Sequence, residues 1–323
     1  MTGDVTNTPD TPEFSVCITC HFEEHSIDEF YQRLSKTLEE TGRTYEILMV
    51  NDGSTDATWT KLKAIFARDP KVQVIMDLFK NAGQRAALTA AMVRARGRAI
   101  VLMDSDLQLM PEDLPALIAE WDTARYDLVS GYRRNRKDSL FRIIPSKLAN
   151  VIMRRASKST LTDFGCTFKI YNATLIRALA YGPHHIFNNV DAIAALDRYT
   201  EVPVRHRPRP YGKSGWTFSK LWRYNMDNLV LLTQYPFQVL GLGCIVVSML
   251  FLLRIILGFV VEFQVLDTVT NGLLLNAMAF AVLLLLAVLA LMGEFTIRCF
   301  ASLRQIPAYA IRELIARQNE PPA

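Results

Sequence analysis

Cysteine is scarce and unpatterned in this chain. Five are spread over 323 residues, Cys17, Cys20, Cys166, Cys244 and Cys299. They are odd in number and partly inside apolar runs, so no disulfide framework is implied and a reducing compartment is expected. An excess of one charge is also lacking. Lys and Arg number 36 against 32 Asp and Glu, a net +4 that is too mild for a nucleic-acid binder. The opening MTGDVTNTPDTPEF has no basic region and no apolar stretch, so a secretory signal peptide is not expected there. Residues 1–13 are expected to be a disordered tail, and the segment beyond them is expected to stay in the cytosol. Apolar residues, by contrast, make up 50% of the chain, enough for a large core with some left over for a membrane.

The segment Cys17-Ile18-Thr19-Cys20-His21 has the C-x-x-C-H spacing that attaches a c-type haem. A membrane-anchored haem or redox protein is therefore one reading. The other is a buried first strand in which the cysteines serve as small hydrophobes. Covalent haem attachment takes place outside the bacterial cytoplasm, which weighs against the first.

Two long apolar segments lie near the C-terminus. About 236–261 carries only Arg254 as a charge, and Gly272 to Gly293, within an arm of about 272–295, carries none; each is long enough to span a bilayer. The connecting stretch has Glu262 and Asp267 but no Lys or Arg, whereas both flanks are basic. By the positive-inside rule the expectation is a transmembrane hairpin over 236–297, with the large N-terminal part and a basic tail at 298–323 in the cytoplasm. Residues 214–235, with Trp216, Phe218, Leu221 and Trp222 among Lys220 and Arg223, read as an amphipathic helix at the membrane interface.

From 14 to 213 the pattern is that of one cytosolic domain. Strand-like runs FSVCITC, YEILMV, VQVIMDL, AIVLMD and YDLVSG alternate with helical patterns, which argues for an α/β domain with a mostly parallel sheet. Ser26-Ile27-Asp28-Glu29 reads as a capping box. In such sheets ligands bind at the carboxyl edge of the strands, and the polar motifs fall there. NDGSTD follows the second strand and KNAGQR the third, where Gly83 opens a helix whose first amides, with Lys80 and Arg85, can face an anion. The fourth strand ends in Asp104-Ser105-Asp106, two acids that can turn toward one Mg²⁺ or Mn²⁺ ion bridging to a diphosphate.

The ordered set NDGSTD, KNAGQRAAL, DSDLQLMPED, RRNRKDS, DFGCTFKIY and PRPYGKSGWTFSKL, followed by an apolar hairpin, resembles the polyprenyl-phosphate glycosyltransferases of glycosyltransferase family 2. These include dolichol-phosphate mannose synthases and the bacterial enzymes that load glucosyl or formamido-arabinose groups onto undecaprenyl phosphate. The resemblance implies a GT-A type nucleotide-sugar-binding fold and transfer of a sugar, with inversion, from a UDP-sugar to undecaprenyl phosphate for envelope glycan or lipid A modification. It implies donor-side roles for Glu23, Asp52, Lys80, Gln84 and Asp104, a Mg²⁺ or Mn²⁺ ion on Asp106, and acceptor-phosphate roles for Arg136, Asp163, Gly165, Arg209, Lys213 and Ser214. Asp104, Asp106, Arg133 and Arg209 would form the catalytic set. It also implies a homotetramer in contact with membrane lipids, multi-pass in the bacterial inner membrane.

Two departures from the family pattern stand out. Thr19-Cys20-His21-Phe22-Glu23 replaces Pro-x-Tyr-Asn-Glu at the nucleotide pocket, and Gly215-Trp216 replaces Lys-Tyr in the closing loop. The Q-x-x-R-W signature of processive synthases is absent, which lowers the alternative of a polymerising enzyme or of one acting on a lipid hydroxyl.

Overall fold

Strand β1 (Phe14–Cys20) is buried along its whole length at the centre of an eight-stranded sheet. The computed structural model describes residues 11–134, 154, 159–208, 210 and 306–317, together with scattered helical positions between 246 and 300. The sheet runs β7 (Tyr199–Arg205), β5 (Leu128–Arg134), β6 (Lys169–Asn172), β4 (Ala99–Asp104), β1, β2 (Tyr45–Asn51), β3 (Val72–Leu78), β8 (Ile311–Ala316). Strands β4, β1, β2 and β3 are mutually parallel, β7 is parallel to β5, and β6 and β8 are antiparallel to their neighbours.

Alternation along the strands sorts the core into two layers. Val16, Ile18 and Cys20 join Ile47, Met49 and Ile75 on one face, under α1 (Ile27–Glu40), α2 (Thr58–Arg68) and α4 (Leu114–Trp121). Cys17, Leu48 and Leu102 join the other layer, under α3 (Gln84–Met92), α5 (Ala173–Ala178) and α6 (Asn189–Ala194). Helix α1 follows from its sequence: Ile27, Phe30, Tyr31, Leu34 and Leu38 recur at helical spacing and are buried. The capping box expected at its start does not form, because the Ser26 hydroxyl donates to the Glu23 carboxylate rather than capping the helix.

This layering answers the C-x-x-C-H question. Cys17 and Cys20 point to opposite faces of β1 and both are fully buried, so they cannot grasp one porphyrin. Burial pushes both thiols up, Cys20 to about 12, which leaves them protonated and inert.

The chain divides into two compact units, 1–232 with 307–323, and 233–306. The tail expected over 298–323 thus carries a strand of the first unit's sheet. Arg312 on β8 reaches the buried Asp77 of β3 at 3.2 Å, and Trp59 donates to Glu313 at 2.9 Å. In the second unit the described positions are helical, and Met249, Met278, Val282, Leu285, Leu289 and Met292 are exposed. Among the described residues no helix is long and apolar enough to cross a membrane. The expected hairpin arms at 236–261 and 272–295 lie largely outside the described residues, as do the interfacial helix at 214–235 and most of the tail at 1–13.

Candidate active site

The parallel strands end together, so the polar residues after β1, β2, β3 and β4 meet on one edge. Asp52, the first residue beyond β2, accepts the backbone N–H of Ala82 at 2.7 Å and of Gly83 at 3.0 Å, one on each carboxylate oxygen. It therefore shapes the loop that opens α3. Burial raises its pKa while these amides and His21 work against the rise. Gly53 is required at the same turn. Its φ is +64°, and a Cβ there would sit 2.3 Å from the Lys80 carbonyl carbon, a backbone atom that cannot step aside. Lys80 itself is exposed at the rim. Glu23 is buried, with its backbone N–H on Thr58 Oγ1 at 3.0 Å and its carboxylate holding Ser26, so the structure places it beneath the turn after β1.

At the end of β4, Asp104 Oδ1 accepts from Thr19 Oγ1 at 3.2 Å and from the Gln84 amide. Burial and then the charge of Asp106 push its carboxyl up to about 6, while the Gln84, Thr167 and Thr19 hydrogen bonds oppose the rise. Asp106 Oδ1 accepts the Gln108 N–H at 3.0 Å. Between them the chain turns through Leu107, a non-glycine residue at φ +57° whose side chain is anchored in the core. Two carboxylates so placed repel one another, and a divalent cation would relieve that repulsion. Among the described residues no cluster of three or more His, Cys, Asp or Glu is able to hold a metal. A divalent ion on this pair would thus need further oxygens from a ligand, which suits Mg²⁺ or Mn²⁺ with a diphosphate.

The other half of the site is built around an ion pair. Arg133 on β5 grips Asp163 with Nε at 2.7 Å from Oδ2 and Nη2 at 2.8 Å from Oδ1. Burial would raise the Asp163 carboxyl, but the hydrogen bonds and charge of Arg133 prevail and hold it at about 2. Gly165 lies against this pair: a Cβ there would be 3.1 Å from Arg133 Nη2. The loop between Asp163 and Thr167 is tied down from several sides. Glu201 of β7 accepts the N–H groups of Thr162 and Asp163 at 2.8 and 3.1 Å, and Asn189 donates to the Phe164 carbonyl at 2.6 Å. Gln84 joins the two halves, since its amide donates both to Asp104 and to Thr167 Oγ1, the latter at 3.1 Å.

The basic stretch after β7 is fastened to the turn beyond Asp106. Arg205 Nε lies 2.8 Å from Asp113 Oδ1, Arg207 N–H donates to the Gln108 carbonyl at 2.9 Å, and His206 bridges to Leu109. Arg205, which precedes the PRPYGK motif, is thus engaged with Asp113. Of the residues expected from sequence, Glu23, Asp52, Lys80, Gln84, Asp104, Asp106, Arg133, Asp163 and Gly165 are described. Arg136, Arg209, Lys213 and Ser214 lie outside the described residues. Sequence reasoning missed Thr167, Asn189, Glu201 and Lys169. Of these only Lys169 carried a signal, as a lone charge inside the apolar run FKIY.

The sequence model of the family described as "Glycosyl transferase family 2" matches residues 15–180. The chain is 31% identical to an undecaprenyl-phosphate 4-deoxy-4-formamido-L-arabinose transferase of Pseudomonas fluorescens, over 96% of this chain and 92% of that one. It is 35% identical to a dodecaprenyl-phosphate galacturonate synthase of Rhizobium johnstonii, over 76% of each chain. In fold it is similar to glucosyl-3-phosphoglycerate synthase from Mycobacterium tuberculosis in complex with uridine diphosphate. The TM-score is 0.50 at 18% identity, over 68% of this chain and 79% of that one.

Proposed function

The chain belongs to glycosyl transferase family 2, and from that premise we propose that it moves a sugar from a UDP-sugar to the phosphate of undecaprenyl phosphate, for modification of the cell envelope. The observation that carries this reading is the junction at Gln84. There an acidic end able to take a cation, Asp104 and Asp106, is hydrogen-bonded to the loop that Arg133 organises. Relatives that match nearly the whole chain carry polyprenyl-phosphate sugar transferase names, which supports the same acceptor.

The chemistry follows from charge. A lipid phosphate, with a second pKa near ~6 like other phosphate monoesters, is already largely dianionic at neutral pH. It needs no strong general base to attack the anomeric carbon, and we assign none. A single displacement inverts the anomeric centre. Asp106, with Asp104 beside it, would hold Mg²⁺ or Mn²⁺, whose charge offsets that developing on the departing diphosphate. Asp52 fixes the loop that opens α3 by accepting the Ala82 and Gly83 amides, and so sets the position of Gln84 at the start of that helix. Asp163 orients Arg133 toward the acceptor.

A membrane location fits a lipid acceptor. The segments before 233 and after 306 belong to one unit, so a membrane-inserted segment between them would leave and return on the same side. The exposed apolar positions from Met278 to Met292 support such insertion. On this proposal the sheet domain would lie in the cytoplasm and the chains would form a tetramer in the bacterial inner membrane. The test is turnover by the purified full chain with undecaprenyl phosphate in detergent, Mg²⁺ or Mn²⁺, and a panel of UDP-sugars and GDP-mannose. One donor is expected to yield a lipid-linked sugar. No product from any donor, with free sugar or another acceptor consumed instead, would overturn the reading.

A further inference from the structure

Lys169 is the lone charge of β6 and is 1% exposed. It pairs with Leu102 of β4 and with Ser130 of β5, and shares a face with Leu128, Tyr171 and Phe164. An apolar residue would continue this strand at no cost, whereas a buried ammonium is expensive unless matched. It is not matched here. Its Nζ donates to the Cys166 carbonyl, and among the described residues no carboxylate lies within ion-pair distance of it. The nearby acids are engaged elsewhere, Asp163 with Arg133 and Glu201 with the amides of Thr162 and Asp163. Burial accordingly lowers the Lys169 pKa, with Cys166, Asp163 and Glu201 opposing and Arg133 adding to the fall. Cys166, the other titratable neighbour, is held neutral by burial, its thiol pushed up to about 11.

Among the described residues the charges under the loop are therefore Arg133 and Lys169 against Asp163 and Glu201, which balance. Without Lys169 this set would carry one net negative charge, facing a ligand that itself carries two. We propose that Lys169 is the residue that keeps the floor of the 163–167 loop receptive to a phosphate dianion, acting by its charge and by its hold on the Cys166 carbonyl rather than by contact with the ligand. This rests on the reading of a polyprenyl phosphate as acceptor. It also explains an unfavourable residue in a strand: rules of core composition are broken where function requires it.

The experiment compares Lys169→Met, Lys169→Gln and Lys169→Arg in the full chain, with undecaprenyl phosphate and whichever UDP-sugar the wild type turns over. Gln keeps a donor for the Cys166 carbonyl without the charge, and Arg keeps the charge. For Met and Gln the lipid-phosphate KM is expected to rise about tenfold or more, as loss of a whole charge in a poorly screened site implies. The donor KM should stay within about twofold, and the thermal midpoint should hold or rise, because a costly buried charge has gone. Arg should recover most of the lipid KM. Equal rises in both KM values with a lower midpoint would make Lys169 plain scaffold. A wild-type lipid KM in Lys169→Gln would assign the effect to the hydrogen bond and overturn the charge argument. A wild type that transfers to no polyprenyl phosphate would overturn the acceptor reading and this inference together, whereas an active wild type with an unchanged lipid KM in Lys169→Met would overturn the inference alone.

Discussion

Arg133 and Asp163 face each other in a two-pronged ion pair, with Nε and Nη2 each on a different carboxylate oxygen and side chains 15% and 13% exposed. Asp163 is held at about 2, below its ordinary value near ~3.9, so its contribution is complete above about pH 4 and is lost as pH falls through about 2. That contribution is about 2 kcal/mol. Asp163→Asn should lower the thermal midpoint at neutral pH, and the gap between variant and wild type should close between about pH 4 and pH 2. A gap that stays constant with pH would contradict the pairing.

Removal of the cation should silence the enzyme. Turnover is expected to fall to background in excess EDTA and to return with Mg²⁺ or Mn²⁺, and Asp106→Asn should reduce it by about 1000-fold or more, a loss typical of a removed transition-state stabiliser. Nucleotide release, followed by chromatography, would report both. Full activity in the chelator would exclude the ion from the Asp104–Asp106 pair.

Gly53→Ala should damage the donor side out of proportion to its size. The added carbon meets the Lys80–Asn81 backbone at 2.3–2.7 Å and sits on a residue with φ +64°. The Asp52 loop must shift, so the donor KM should rise at least about tenfold while the fold survives with a loss of about 1–3 kcal/mol. Isothermal titration with UDP would show the weakened binding directly, and unaltered affinity would mean that the loop tolerates the shift.

Arg312→Ala should strand the buried Asp77 without a cation, leaving, among the described residues, the side chain of Asn51, which donates to it at 2.7 Å. Arg312 is half exposed, so the expected cost is modest, about 1–3 kcal/mol in thermal or urea unfolding. Asp77→Asn combined with Arg312→Ala should cost less than the sum of the two changes. Strict additivity would show that the pair carries no coupling.

The central strands were legible because they are buried on both faces. FSVCITC, VQVIMDL and AIVLMD are mostly apolar runs, and β1, β3 and β4 coincide with them. The carboxyl-edge motifs were legible for the same reason, since Asp52 and Asp104 stand where those runs stop. The fifth strand was less so. YDLVSG suggests 126–131, whereas β5 runs from Leu128 to Arg134 because polar Tyr132, Arg133 and Arg134 pair with β7. A partner about 70 positions along the chain decides that boundary, and no local pattern announces it. Ile311–Ala316, with Arg312 and Glu313 in its alternation, reads as a basic tail until β3 is placed beside it. Ser26 had a capping signature, but Glu23 competes for its hydroxyl. The supports of the 163–167 loop, Glu201 and Asn189, are ordinary polar residues in sequence and gain their roles through tertiary approach alone.

The pairing of β8 with β3 also constrains the order in which the molecule assembles. Arg312 and Asp77 are 235 residues apart in sequence, and the whole of 233–306 lies between the strands they occupy. Closing so large a loop is entropically slow compared with docking β1, β2, β3 and β4 through their short helical crossovers. The edge strand is therefore the late event in folding, and β3 passes through a stage with its outer N–H and C=O groups open to any extended chain nearby. That stage is the window for strand exchange and aggregation. Its lifetime is set by how promptly that loop closes.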